Sequence, residues 1–195
     1  MRVVEIAHGL TLAKPTEGYI RSPGLHASDL YGSFYRSLDP ARYDKRDSAG
    51  EPTPPDETKM ELGTSFEEVL EIALAERLLG ERPGEFTSPE GVIYSPDYLF
   101  NDPDGLVLGE LKLTWYSDRD APHGEKFAKW LTQIRLYLYW LELQRCRLYV
   151  LFVNGDYKPP TPRLRCWELT FTPRELADEH QMIMRHARKK GLIVV

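Results

Sequence analysis

Two cysteines, Cys146 and Cys166, are too few for a four-thiolate zinc or iron–sulfur centre, so no iron–sulfur cluster is expected. No apolar run approaches the roughly 18 residues of a membrane-spanning helix, so no membrane partner is expected. The opening stretch MRVVEIAHGL is interrupted by Glu5 and His8 and lacks the apolar core of a signal peptide. Reduced thiols and a cytoplasmic setting follow as expectations. The five histidines are scattered, and the nearest pair, His180 and His186, falls on different faces of one helix. No GxxxxGK[ST] loop occurs, which argues against a built-in ATPase motor. Internal repeats and low-complexity tracts are missing too.

What is present is ordinary globular material, with 42% hydrophobic and 28% charged residues. The length of 195 residues fits one domain over 1–195. The net charge of −5 is unevenly spread. Residues 1–97 carry 10 Lys and Arg against 18 Asp and Glu, whereas 98–195 carry 15 against 12. The second half could hold phosphates while the first keeps the chain soluble, although a plain solvated surface explains the same numbers.

Strands are expected at 2–7, 91–100, 106–115, 147–153 and 164–171, and helices at 27–38, 63–79, 127–144 and 173–190. Ser28 or Asp29 would cap the first helix; Pro173 would open the last and Gly191 follow its end. Residues 39–58 are polar and proline-rich and read as a long loop. The five-residue turn signal NDPDG between 91–100 and 106–115 predicts an antiparallel hairpin. The order of elements makes an α/β or α+β domain.

That hairpin carries the sharpest chemical signal: Ser95-Pro96-Asp97, then Glu110-Leu111-Lys112. Strand alternation puts Glu110 and Lys112 on one face. A turn centred near Pro103 sets Asp97 opposite Gly109 or Glu110, where facing Cβ atoms lie roughly 5 Å apart. Two carboxylates that close repel unless a cation sits between them. Hard oxygen ligands at that spacing suit Mg²⁺, and a neighbouring lysine can orient a water against a phosphate. Leu106, Leu108, Leu111 and Leu113 mark the strand as central, where charge needs a partner or an ion. Asp104 also follows a proline but falls at the hairpin tip, about 20 Å along the strand from Glu110, and belongs to the turn. On the preceding helix Glu67 shares an apolar face with Leu74 and Leu78. It could equally close a capping box with Thr64, while Ser65 would pair with Glu68. Gln133 and Tyr137 share a face of the 127–144 helix, either as packing with one satisfied amide or as part of a site.

Taken in order, Ser-Pro-Asp97, a hairpin and Glu110-x-Lys112 resemble the signature of the PD-(D/E)XK nuclease superfamily. The Gly63-Thr64-Ser65-Phe66-Glu67 helix start and Gln133-x-x-x-Tyr137 resemble its RecB-like branch and the viral recombination exonucleases of lambda-exonuclease type. The resemblance covers roughly residues 60–155. Many RecB-like members have histidine where this chain has Glu67. The resemblance implies an α/β fold with a restriction-endonuclease-like core, a central mixed β-sheet flanked by helices. It implies a metal-dependent deoxyribonuclease, an exonuclease of recombination or repair leaving 5′-phosphates. Asp97, Glu110 and the Leu111 carbonyl would hold Mg²⁺ or Mn²⁺. Lys112 would position the attacking water, Glu67 would bind a second ion or that water, and Gln133 would hydrogen-bond the water or a site carboxylate. Tyr137, Lys126 and Lys129 are the expected substrate contacts. DNA is the expected partner, with a recombinase or single-strand-binding protein and a homo-oligomer open to it. The alternative is a non-catalytic nuclease-fold protein that binds DNA or a partner.

Overall fold

The computed structural model describes residues 1–6, 22–44, 65–66, 80–81, 83–153 and 162–193. Eight strands are described: β1 (Arg2–Ile6), β2 (Gly80–Glu81), β3 (Phe86–Thr87), β4 (Ile93–Tyr94), β5 (Tyr98–Asp102), β6 (Gly105–Thr114), β7 (Arg145–Phe152) and β8 (Arg163–Thr170). The helices are α1 (Ala27–Leu38), the single turn α2 (Pro40–Tyr43), α3 (Ala128–Trp140) and α4 (Pro173–Lys189), with a 3₁₀ turn at Glu125–Phe127 leading into α3.

Six strands form one sheet in the order β1-β8-β7-β6-β5-β2, and β3 pairs with β4 separately. The β6–β7 pair is parallel and every other pair in the large sheet is antiparallel, so the sheet is mixed. A parallel pair needs a crossover, and α3 supplies it. Near-continuous burial along β7 and across Val107–Leu111 of β6 identifies these as the central strands. One sheet face, with Leu108, Leu148, Val150 and Leu169, packs against Leu30, Ile134, Leu138 and Ile183 of α1, α3 and α4. The other face gathers Tyr98, Phe100, Val107, Leu111 and Tyr149 with Phe66, which together with Ser65 is helical. Burying each such large side chain contributes roughly 1.5–3 kcal/mol. Cys146 belongs to the first core and Cys166 to the second; both are buried and neither is joined in a disulfide.

Local chemistry sets several boundaries differently from the sequence expectation. The run at 91–100 is two strands, because Pro96 has no N–H to continue a ladder; β4 turns instead to β3, and the Ile93 N–H donates to the Leu25 carbonyl at 2.8 Å. Neither Ser28 nor Asp29 is the N-cap of α1. His26 holds that position, and the Asp29 carboxylate, on the third residue of the helix, reaches back to the His26 N–H at 2.9 Å as the acid of a capping box. The expected helix at 127–144 stops at Trp140. Glu142 is left-handed at φ 56° and the Leu143 N–H returns to the Leu138 carbonyl at 2.9 Å, a Schellman ending. α4 begins at Pro173 and is capped by Thr172 with Glu175, and Gly191 at φ 68° closes it. The polar loop at 39–58 opens with α2, capped by the Asp39 side chain accepting from the Arg42 N–H at 3.1 Å. Residues 45–58, and the helix expected at 63–79 apart from Ser65 and Phe66, lie outside the described residues.

Candidate active site

The β5–β6 hairpin turns at Pro103-Asp104 and pairs Tyr98 with Gly109. Gly109 matters for this approach: a Cβ placed there would lie 2.9 Å from the Tyr98 Cβ. Continuing the register by one residue sets Asp97 opposite Glu110. β5 begins only at Tyr98, so its backbone offers no acceptor to the Leu111 N–H. The Asp97 carboxylate takes that role, its Oδ2 accepting from Leu111 N at 2.8 Å. Main-chain N–H and C=O of one strand residue project toward the same neighbour, so the Leu111 carbonyl faces the same gap.

Glu110 points to the helical side of the sheet and is wholly buried. Its Oε1 accepts from Lys112 Nζ at 2.6 Å and from Gln133 Nε2 at 2.7 Å. Lys112 Nζ also lies 4.0 Å from Asp97 Oδ2. The two carboxylates therefore converge on one ammonium, and strand alternation with hairpin register suffices to put them there. α3 supplies the other wall. Gln133 is held at both ends of its amide: Tyr31 of α1 donates its hydroxyl to Oε1 at 3.2 Å, and Nε2 also reaches the Tyr137 hydroxyl at 3.3 Å. Burial pushes the Tyr137 phenol well above its ordinary value, and the negative charge of Glu110 and Asp97 adds to this while Lys112 opposes it. Tyr137 is thus a neutral, buried supporting group, packed against Tyr94 with ring centroids 5.6 Å apart.

The remaining expected residues are placed as follows. Lys129, one turn before Gln133, sits 5.7 Å from the Tyr31 ring centroid, and burial lowers its ammonium pKa. Lys126 pairs with Asp120 at 2.7 Å. Glu67 lies outside the described residues. Asp104 stays at the hairpin tip, exposed and 3.9 Å from Arg145. Two of the histidines have other employment: His180 hydrogen-bonds Glu90 at 3.0 Å and stacks on Tyr139, and His186 meets Ser33 at 3.1 Å. Tyr31 was not singled out from sequence. Its stripe with Ala27, Leu30 and Tyr35 marks an inward face, but nothing in the spacing says that this face meets Gln133.

Among the described residues, no three His, Cys, Asp or Glu side chains gather as a metal-ligand cluster. The oxygen donors at hand are two carboxylates and one main-chain carbonyl. That set fits a hard divalent cation that keeps several waters, and not a closed tetrahedral zinc site.

No family model and no curated protein matches the chain. Solved structures do. The alkaline exonuclease LHK-Exo of Laribacter hongkongensis aligns over 85% of this chain and 88% of its own, with a TM-score of 0.52 and 18% identity. The fold is shared with an alkaline exonuclease. The same enzyme in complex with dAMP aligns over 86% of this chain and 93% of its own, with a TM-score of 0.51 and 18% identity. SSO0001 aligns over 86% and 78%, with a TM-score of 0.50 and 14% identity. At these identities the likeness establishes architecture, a mixed sheet flanked by helices. Among the described residues no helix is long and apolar enough to cross a membrane.

Proposed function

We propose that the protein is a divalent-metal-dependent deoxyribonuclease that hydrolyses phosphodiester bonds, acting as an exonuclease in recombination or repair. The observation that carries this reading is the convergence of Asp97 and Glu110 on Lys112, within 4.0 Å and 2.6 Å of its Nζ. A purely structural strand has little use for two acids facing each other beneath a helix. The shared fold with an alkaline exonuclease supports the reading, and that enzyme's complex with dAMP is in keeping with nucleotide binding on this fold.

Asp97, Glu110 and the Leu111 carbonyl would hold Mg²⁺ or Mn²⁺. The chemistry such an ion supplies when bound is Lewis-acid polarisation of a phosphoryl oxygen. The chain's own residues do the rest. Lys112 Nζ, pinned by Glu110, holds the attacking water in line with the phosphorus. Gln133 fixes the Glu110 carboxylate from above, and Tyr31 fixes Gln133. The Leu111 N–H holds Asp97 Oδ2 beside Lys112. Lys129, one turn before Gln133 and over the Tyr31 ring, adds positive charge for the phosphate backbone. Glu67 is proposed as the ligand for a second ion or for the water.

Incubation with linear and with circular DNA in Mg²⁺ or Mn²⁺ tests the reading. Degradation of the linear form alone is expected. Asp97→Asn should abolish it while the chain still folds, since an amide oxygen can still accept from Leu111 N. DNA binding without cleavage under any divalent ion would favour the non-catalytic alternative.

A further inference from the structure

Beyond the buried carboxylates, the β6 strand leaves an aromatic surface that the proposed chemistry does not use. Trp115 and Tyr116, immediately after β6, are 36% and 38% exposed. Strand alternation puts Lys112 and Thr114 on one face of β6, and just past the strand end the Tyr116 N–H turns back to donate to Thr114 Oγ1 at 3.2 Å. On the facing helix Trp130 is three residues before Gln133 and shares its side. The two series meet: the Tyr116 and Trp130 rings lie 6.1 Å apart and are tilted by only 33°, and Phe127 supports both from beneath at 6.3 Å and 5.1 Å, edge-on. Lys126 Nζ lies over the Tyr116 ring, 5.5 Å from its centroid, where an aromatic face already holds a cation. Lys126, paired with Asp120, also lines a neighbouring cavity of about 550 Å³ together with Arg119 and with Arg42, which pairs with Glu125 at 3.5 Å, so three cations face two acids there.

We infer that Tyr116, backed by Trp130 and flanked by Lys126, is a stacking platform for an unpaired base of the strand whose phosphate reaches Lys112. Three features on one line lead to this occupant. A base has a flat face to lay on an aromatic ring whatever its sequence, and only a base released from a duplex stack has that face free. The lysine and arginines around the cavity match the phosphates that must accompany the base. Tyr116 lies four residues beyond Lys112 and against Trp130, one turn before Gln133, so a base stacked there belongs to a nucleotide close to the bond being cut. The inference rests on the nuclease reading only for the place of that bond. The stacking surface stands on its own geometry.

The test is binding without chemistry. Full-length protein in EDTA is titrated with a short oligo(dT) and with an abasic strand of the same length, following intrinsic tryptophan fluorescence and anisotropy of an end label. Wild type should bind oligo(dT) about tenfold more tightly than the abasic strand. Tyr116→Ala should lose that preference, with affinity for the abasic strand unchanged, and Tyr116→Phe should restore it. Melting of each variant, followed by circular dichroism, separates loss of stacking from loss of fold. Equal affinity of wild type for both strands, or full base preference in folded Tyr116→Ala, overturns the platform. Intact base preference in a protein that never cuts DNA leaves the platform standing and removes the nuclease reading.

Discussion

Replacing Glu110 by glutamine isolates the charge at the deepest point of the site. The amide has the same shape, and its oxygen can still accept from Lys112 and Gln133. Only the net charge leaves. At an effective dielectric of about 20, the 2.6 Å pair with Lys112 amounts to roughly 6 kcal/mol of attraction. The facing Asp97 carboxylate, at a separation on the order of 5 Å, opposes it with roughly 3 kcal/mol of repulsion. Substitution relieves the desolvation of Glu110 but leaves that of the largely buried Lys112 less compensated, and these two changes offset. Attraction therefore exceeds repulsion, and with screening by solvent at Asp97 and Lys112 the net loss is about 2 kcal/mol. For a chain of this size that lowers the melting midpoint by about 4–8 °C. Thermal unfolding by circular dichroism, in EDTA near pH 7, reads it directly. An unchanged or raised midpoint would mean that repulsion between the acids dominates, and the balance argued here would be wrong in sign.

Two further outcomes are expected. Lys112→Ala should retain Mn²⁺ binding by calorimetry while cleavage falls by ~10² or more, since the ligands remain and the group aligning the water is gone; cleavage at near wild-type rate would remove Lys112 from the mechanism. Burial holds the His180 imidazole below its ordinary value, with Glu90 pulling the other way. The unfolded chain then takes up a proton that the folded chain resists, so stability is full above about pH 6.5 and declines as the pH falls below it. Melting midpoints between about pH 7.5 and pH 5 should fall more steeply for wild type than for His180→Gln.

The hairpin was legible because its turn is written in a local code: NDPDG fixes the register, and alternation fixes which side chains share a face. β6 announced itself as central through the leucines that surround Glu110 and Lys112, whereas the central place of β7 became visible only in the sheet order. Burial by tertiary partners was harder to read. Tyr31 and Gln133 are separated by 102 residues, and amphipathic spacing reports that a helix has an inner face without naming what lies opposite. The split between β4 and β5 was hidden because apolar patterning runs through Ser95-Pro96 while the backbone donor required for pairing does not. His26 displaced the expected caps because the reciprocal bond to Asp29 satisfies two helix-end groups together. Lys126 and Lys129 looked alike as basic residues near a helix start. Only packing separates them, sending one to Asp120 and the other to Tyr31.

The bare backbone at Gly109 couples two lengths that would otherwise be independent. The spacing of β5 from β6 is set where Tyr98 meets Gly109, and the gap between Asp97 and Glu110 is set one residue away on the same two strands. A single methyl at 109 must push the strands apart by tenths of an ångström, and the carboxylates would separate with them. A position bearing no functional group thereby acts as the gauge block of the hairpin. Every reactive atom could be kept while the distance across which they cooperate drifts, and the sheet would still count as intact by any measure of secondary structure.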